Sequence, residues 1–244
     1  MMWGKKKLVN EIEFVALDRY AFEVCPKPFP ASEALPQWWK NASPYIKGME
    51  NPDGKKIIIE NLKSNASFKK CTPMLDLLSS GYIVPLWADV QVRIKNNAPF
   101  LNWRVQRDVF ELHDGQEVEI PTGYQKTQFK FLNQWIPKLP KGYSALIISC
   151  VGYPNNPFRS MQAIIDYDKT THPLYPPVYL KEGFEGIIEK GTPMFQIVPF
   201  KRNNWKSTFS FLDNDQLSIN SDRDIKSTLV NNYVKNFWEK KTYK

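Results

Sequence analysis

Asp166 and Asp168 are the side chains best spaced for chemistry in this chain. They close an apolar run, Ala163-Ile-Ile, and alternate residues of a strand share one face. Two carboxylates on one face would hold a Mg²⁺ ion or orient a water. They would equally end a strand, where aspartate commonly forms turns, and that structural role is the preferred one. The two histidines, His113 and His172, are 59 positions apart with no companion at ligand spacing, so no metal site is expected. The chain holds neither a Gly-x-Ser-x-Gly elbow nor a Gly-x-x-x-x-Gly-Lys loop, which leaves serine-hydrolase and P-loop chemistry without a basis.

The elements that must position the aspartates are strands. Tyr143 to Val151 is a short apolar run after the punctuation of Pro140 and Gly142. Met161 to Tyr167 forms a second run. Gly191-Thr-Pro is a turn signal, and Met194 to Phe200 reads as a third strand. Pro193 and Pro199 cannot donate ladder hydrogen bonds, which predicts an edge position for that strand or pairing only between them.

The rest of the chain agrees with a mostly β fold. Residues 8–26 read as two strands, Glu11 to Leu17 and Tyr20 to Val24. A single helical turn is expected over Ser32 to Lys40, ending in Trp38-Trp39. Those rings are read as capping a sandwich end or plugging a subunit interface rather than stacking on a ligand. Lys55 to Glu60 reads as a strand. Thr72 to Gly81 is a compact helix signal, with Thr72 as N-cap, Pro73 in the first turn and Gly81 at C′. Further strands are expected at Tyr82 to Leu86, Asp89 to Lys95, Leu101 to Val105, Val109 to Leu112 and Lys126 to Leu132, nine or ten in all. Ser221 to Lys240 is the one long helix expected. There Ile225, Leu229, Tyr233 and Phe237 advance about 40° at each step, and Val230, Val234 and Trp238 widen the apolar arc to about 220°, beyond the roughly 100° needed to dock on one core. Such a helix either contacts its own domain and a second protein chain, or lies sunk in a cleft of its own domain. The expected organisation is a single β-sandwich-like domain over 1–220, with one short internal helix, followed by an amphipathic helix and tail over 221–244.

Composition narrows the classes. The net charge of +8 is spread over pairs and triplets of lysine, none of them a run of nucleic-acid type, so nucleic-acid binding is not expected. No run reaches 18 apolar residues, and the lysine-rich start has no apolar stretch after it, so neither a membrane span nor a secretory signal is expected. Cys25, Cys71 and Cys150 are odd in number and far apart, which predicts three free thiols in a reducing compartment.

Four pieces of the 139–202 stretch, in order, resemble the dUTPase-like or β-clip family. Lys141-Gly-Tyr-Ser-Ala-Leu-Ile resembles the family's turn into a strand. Phe158-Arg-Ser-Met resembles its phosphate-contacting segment, Ala163-Ile-Ile-Asp-Tyr-Asp its nucleoside-holding segment, and Ile188-Glu-Lys-Gly-Thr-Pro-Met-Phe-Gln-Ile-Val a following strand. The resemblance implies a β-clip core and, for an active member, Mg²⁺-dependent cleavage of a nucleoside triphosphate. Arg159 and Ser160 would then meet phosphate, Asp166 the sugar or a water, and Tyr167 would stack on the sugar. The sequence departs from this pattern at Lys169, which stands where the family has Tyr, at Met161, which replaces Gly, and in its last 45 residues, which contain no Gly.

The whole chain also resembles an uncharacterised family of tailed-phage proteins. The expectation drawn is a non-enzymatic assembly or binding protein of a virion, with no cofactor. It would meet other copies or other virion chains through Trp38, Trp39, Tyr233, Phe237 and Trp238, in the virion or the host cytoplasm. The alternative is the Mg²⁺-dependent dUTPase-like enzyme.

Overall fold

The structure is a computed structural model that describes residues 11–44, 67–113, 119–211 and 232–244. The strand expected at Lys55 to Glu60 and most of the expected C-terminal helix lie outside the described residues. The chain is mostly β. In order it forms β1 (Glu13–Ala16), α1 (Arg19–Val24), β2 (Phe29–Pro30), α2 (Gln37–Asn41), α3 (Thr72–Ser79), β3 (Tyr82–Pro85), β4 (Val90–Lys95), β5 (Ala98–Asn102) and β6 (Phe110–Leu112). Then follow β7 (Tyr124–Phe131), β8 (Trp135–Lys138), β9 (Tyr143–Ile148), β10 (Phe158–Ser160), β11 (Ala163–Ile165), β12 (Pro177–Lys181), β13 (Gly186–Ile188), β14 (Pro193–Lys201) and α4 (Asn232–Asn236). The strands exceed the expected nine or ten because several are only two to four residues long.

The fold groups into two compact units. One comprises Met1–Ala34, Gly81–Asn203 and Tyr243–Lys244, and the other Leu35–Ser80 and Asn204–Thr242. The first carries every described strand, in antiparallel sheets of order β11-β9-β14-β3-β2, β10-β12-β7-β6, β13-β4-β5 and β1-β8. Their inward faces meet in one core that includes Val84, Leu86, Phe110, Phe131, Ile147, Leu180, Phe195 and Ile197. Tyr82 Oη donates to the carbonyl of Lys244 at 3.1 Å, which returns the C-terminal dipeptide to β3.

In the second unit, α2 presents Trp38 and Trp39 edge-to-face at 5.9 Å. Phe68 packs on both rings, and the Lys69 ammonium lies 4.9 Å from the Trp39 ring centroid. Helix α3 begins one residue earlier than expected. Cys71 takes the N-cap position with no side-chain hydrogen bond, and Thr72 and Pro73 lie inside the first turn. The exit matches the expected C′ glycine, with Gly81 at φ +71° after the C-cap Ser80.

Further expectations need correction, among them the strand at Leu101 to Val105, which is β5 over Ala98–Asn102. Tyr20 to Val24 is helix α1, not a strand. Asp18 caps it by accepting from Ala21 N at 2.9 Å, and the buried positions are Ala21 and Cys25, four apart, while Tyr20, Phe22 and Val24 face outward. Those three alternate in sequence but do not build the core. Strand β14 is not an edge, because β9 and β3 flank it. Pro193 opens the strand. Pro199 shares parity with Ile197, whose carbonyl faces Gly81 at the start of β3, so the missing N–H points past the end of that neighbour. Helix α4 stops at Asn236 instead of running to Lys240, since the N–H groups of Phe237 and Trp238 both close on the Tyr233 carbonyl at 2.9 Å.

Candidate functional site

The aspartate pair and its partners come from three adjacent strand ends. Strand β9 lies between β11 and β14, with Ile165 opposite Ala145 on one side and Lys201 opposite Tyr143 on the other. This register brings Asp166 and Asp168, just past β11, within reach of Gly142 and Ser144 at the start of β9. Arg202, just past β14, donates its backbone N–H to Gly142 O at 2.9 Å and reaches over the start of β9.

Its guanidinium grips both carboxylates. Arg202 Nη1 lies 2.9 Å from Asp168 Oδ1 and 3.0 Å from Asp166 Oδ1, and Nη2 bonds Asp168 Oδ2. Nη1 also meets the Tyr143 carbonyl at 2.9 Å and Ser144 Oγ at 3.0 Å. Asp168 Oδ2 accepts a further bond from Gly142 N at 2.8 Å, and the Asp168 side chain is only 2% exposed. Asp166 is 45% exposed. It accepts from Ser144 Oγ at 2.6 Å, and its outer oxygen lies 3.8 Å from Lys169 Nζ. The bidentate fork is the geometry in which arginine binds carboxylate most strongly. A divalent ion placed between the carboxylates would have to displace it. Among the described residues no group of three His, Cys, Asp or Glu is arranged to hold a metal.

The electrostatics follow from these contacts. The Arg202 side chain, with Gly142 N–H in support, holds the Asp168 carboxyl down at about 2. The Ser144 hydroxyl and then the Arg202 charge hold Asp166 below the ordinary carboxylate range. A group whose folded pKa is depressed from 3.8 to about 2 stabilises fully above 3.8 and loses that contribution as pH falls through about 2. The stability gap between the natural chain and Asp168→Asn, read as urea midpoints, is therefore expected to hold steady from neutral pH down, narrow below pH 3.8 and close below about pH 2. A gap that ignores pH over this window contradicts the pairing.

The other residues singled out by resemblance are not gathered here. Tyr167 lies between the two aspartates in sequence but turns into the core, 2% exposed. Its hydroxyl has no hydrogen-bond partner among the described residues, and burial pushes its pKa up. Ser160 is buried and donates to the Met194 carbonyl at 2.8 Å, whereas Arg159 points outward, 5.9 Å from the Tyr124 ring centroid. Neighbouring positions of one strand face opposite ways, so Arg159 and Ser160 do not form one phosphate cradle.

The aromatic candidates divide between structure and surface. Trp39 is buried, and Trp238 is pinned by Asp76, its Nε1–H lying 3.0 Å from Oδ2, with Lys241 Nζ 2.8 Å from the same oxygen. Trp38, Tyr233 and Phe237 keep exposed ring surface. Trp205, Phe209 and Phe211, absent from the expected contact residues, are 90%, 96% and 91% exposed on a stretch without helix or strand. Their signal in the sequence is the alternation Phe209-Ser-Phe211. A concavity lined by Trp87, Trp103, Gln91 and Asn102 has no local signal in the sequence. The thiols are as expected, since Cys25, Cys71 and Cys150 are all free. Among the described residues no helix is long and apolar enough to cross a membrane. No family model matches the sequence, and no curated protein matches it.

Proposed function

We propose that this protein is a non-enzymatic assembly component that joins other protein chains, copies of itself first among them, through the segment from Trp205 to Phe211. The observation that carries the reading is the near-complete exposure of Trp205, Phe209 and Phe211. Aromatic side chains bury about 150–250 Å² each, so the three together offer roughly 450–750 Å². That reaches or exceeds the largest apolar patch usual on a monomer, about 300–600 Å². Covering it from both sides would bury roughly 900–1,500 Å² in total, the scale at which specific interfaces begin. The reading is also supported by the use of the carboxylates. The pair best spaced for chemistry is tied to Arg202, and a buried Asp168 serves the corner of a sheet. On the resemblance of the whole chain to tailed-phage proteins, the assembly is a virion or a virion accessory.

The test is a triple variant, Trp205→Ser, Phe209→Ser and Phe211→Ser. These side chains are exposed, so the circular dichroism spectrum and melting temperature should stay as they are. Light scattering should give a multiple of the chain mass for the natural protein and the single-chain mass for the variant. Equal masses for the two proteins refute the reading.

A further inference from the structure

We propose that the concavity between α1 and the sheet β13-β4-β5 is a binding site for a sugar ring, a ligand independent of the assembly reading. The hollow has a volume of ≈ 360 Å³, within the range of small-molecule sites, about 300–1,000 Å³. Its floor is set by strand register. Gln91 on β4 stands opposite Asn102 on β5, and Ile187 on β13 stands opposite Gln91 on the other side. Directly paired residues hold their Cβ atoms about 4.5–5.5 Å apart, so two carboxamides lie side by side on a rigid ladder.

Aromatic surface forms the walls. Trp87 is buried and locked by its Nε1–H, which donates to the Leu132 carbonyl at 2.9 Å. Trp103 leans on Phe110 with ring centroids 6.5 Å apart and lines the hollow. Asp89 and Arg104 supply the charged groups. Asp89 Oδ1 accepts from Lys190 N at 2.7 Å, which leaves Oδ2 for a ligand. Among the described residues no hydrogen bond or ion pair engages the side chains of Gln91, Asn102 or Arg104. The hollow therefore brings two tryptophan side chains together with uncommitted amide and guanidinium groups and with the second oxygen of a carboxylate.

The ligand class follows from the donors and acceptors. Each carboxamide both donates and accepts, a carboxylate accepts at two oxygens, and a guanidinium donates in a fork. A row of hydroxyls, each donor and acceptor at once, satisfies that mixture, and the C–H face of a pyranose packs on tryptophan. A phosphate fits less well. Asp89 repels it, and the Lys190 ammonium is already given to the Val24 carbonyl at 3.0 Å, which leaves Arg104 as the uncommitted cation. A neutral sugar, or one bearing a single carboxylate, matches this charge balance.

The experiment is saturation-transfer NMR on the full chain. The probes are methyl glucoside, methyl galactoside, N-acetylglucosamine and glucuronate, with uridine and adenosine monophosphate as counter-probes. Saturable binding in the millimolar range is expected for at least one sugar. Trp103→Ala should abolish it, and the double variant Gln91→Leu/Asn102→Leu should weaken it at least about tenfold, equivalent to about 1.4 kcal/mol. The double variant touches only side chains on an open sheet face, so it tests the site even where the loss of Trp103 loosens the core. The proposal is overturned by no saturable sugar signal, by a signal that both variants keep, or by binding of the nucleotides alone.

Discussion

Arg202→Met lowers the urea midpoint more than the loss of any other side chain in this cluster, because the Asp168 carboxylate stays charged after its strongest partner is deleted. Without the guanidinium, the Asp168 carboxylate keeps only the Gly142 N–H at 2.8 Å and has almost no access to water. Asp166 keeps Ser144 and a wet outer face, so its share of the loss is small. The measurement is urea unfolding followed by tryptophan fluorescence. Adding Asp168→Asn to Arg202→Met should restore much of the loss, because a neutral amide still accepts from Gly142 and leaves no uncompensated charge. Additive losses in that double variant, or an unchanged urea midpoint in Arg202→Met, would show that Arg202 and Asp168 are not coupled.

The other large effect belongs to Gly81. A Cβ built there falls 2.0 Å from Ile197 O, 2.8 Å from Ile197 C and 3.0 Å from Val198 Cα, all backbone atoms of β14. No rotamer change relieves a clash with main chain, so β3 and β14 must separate where they pair, at Tyr82 opposite Ile197. The backbone also sits at φ +71°, which costs a non-glycine residue about 1–2 kcal/mol by itself. Gly81→Ala is expected to cost about 3 kcal/mol or more. Gly123→Ala serves as the control. Gly123 has φ +83° but nothing within 4 Å of the added carbon, so only the conformational part should appear. Equal shifts in urea midpoint for the two variants would remove the steric argument.

Local sequence signals agree with burial in some elements of this chain and part from it in others. Helix α3 and strands β4, β7 and β9 were legible because local signals agree with burial. Pro73 stands in a first turn, Gly81 at a helix exit, and Val90 and Val92 alternate into the core. Helix α1 was not legible, because Tyr20, Phe22 and Val24 have strand spacing and are nonetheless the outward residues. The aspartate spacing was visible, but its meaning depends on Arg202, which lies 34 positions from Asp168 and reaches it only through the β9–β14 pairing. Proline in β14 misled for the same reason, since whether a missing N–H matters depends on where a neighbouring strand ends. The exposure of Trp205, Phe209 and Phe211 is likewise a tertiary fact, because an aromatic residue in sequence reads as core by default.

The bond from Trp238 to Asp76 spans 162 positions. On a ribosome that adds about 5–20 residues per second, the nascent Asp76 waits roughly 8–30 s for its indole to be made. The strands on which Asp168 and Arg202 meet are complete before then. The helical unit, split between Leu35–Ser80 and Asn204–Thr242, therefore closes after the β-sheets in the order of synthesis. For that interval Asp76 on helix α3 stands without the indole and the ammonium that later cover it.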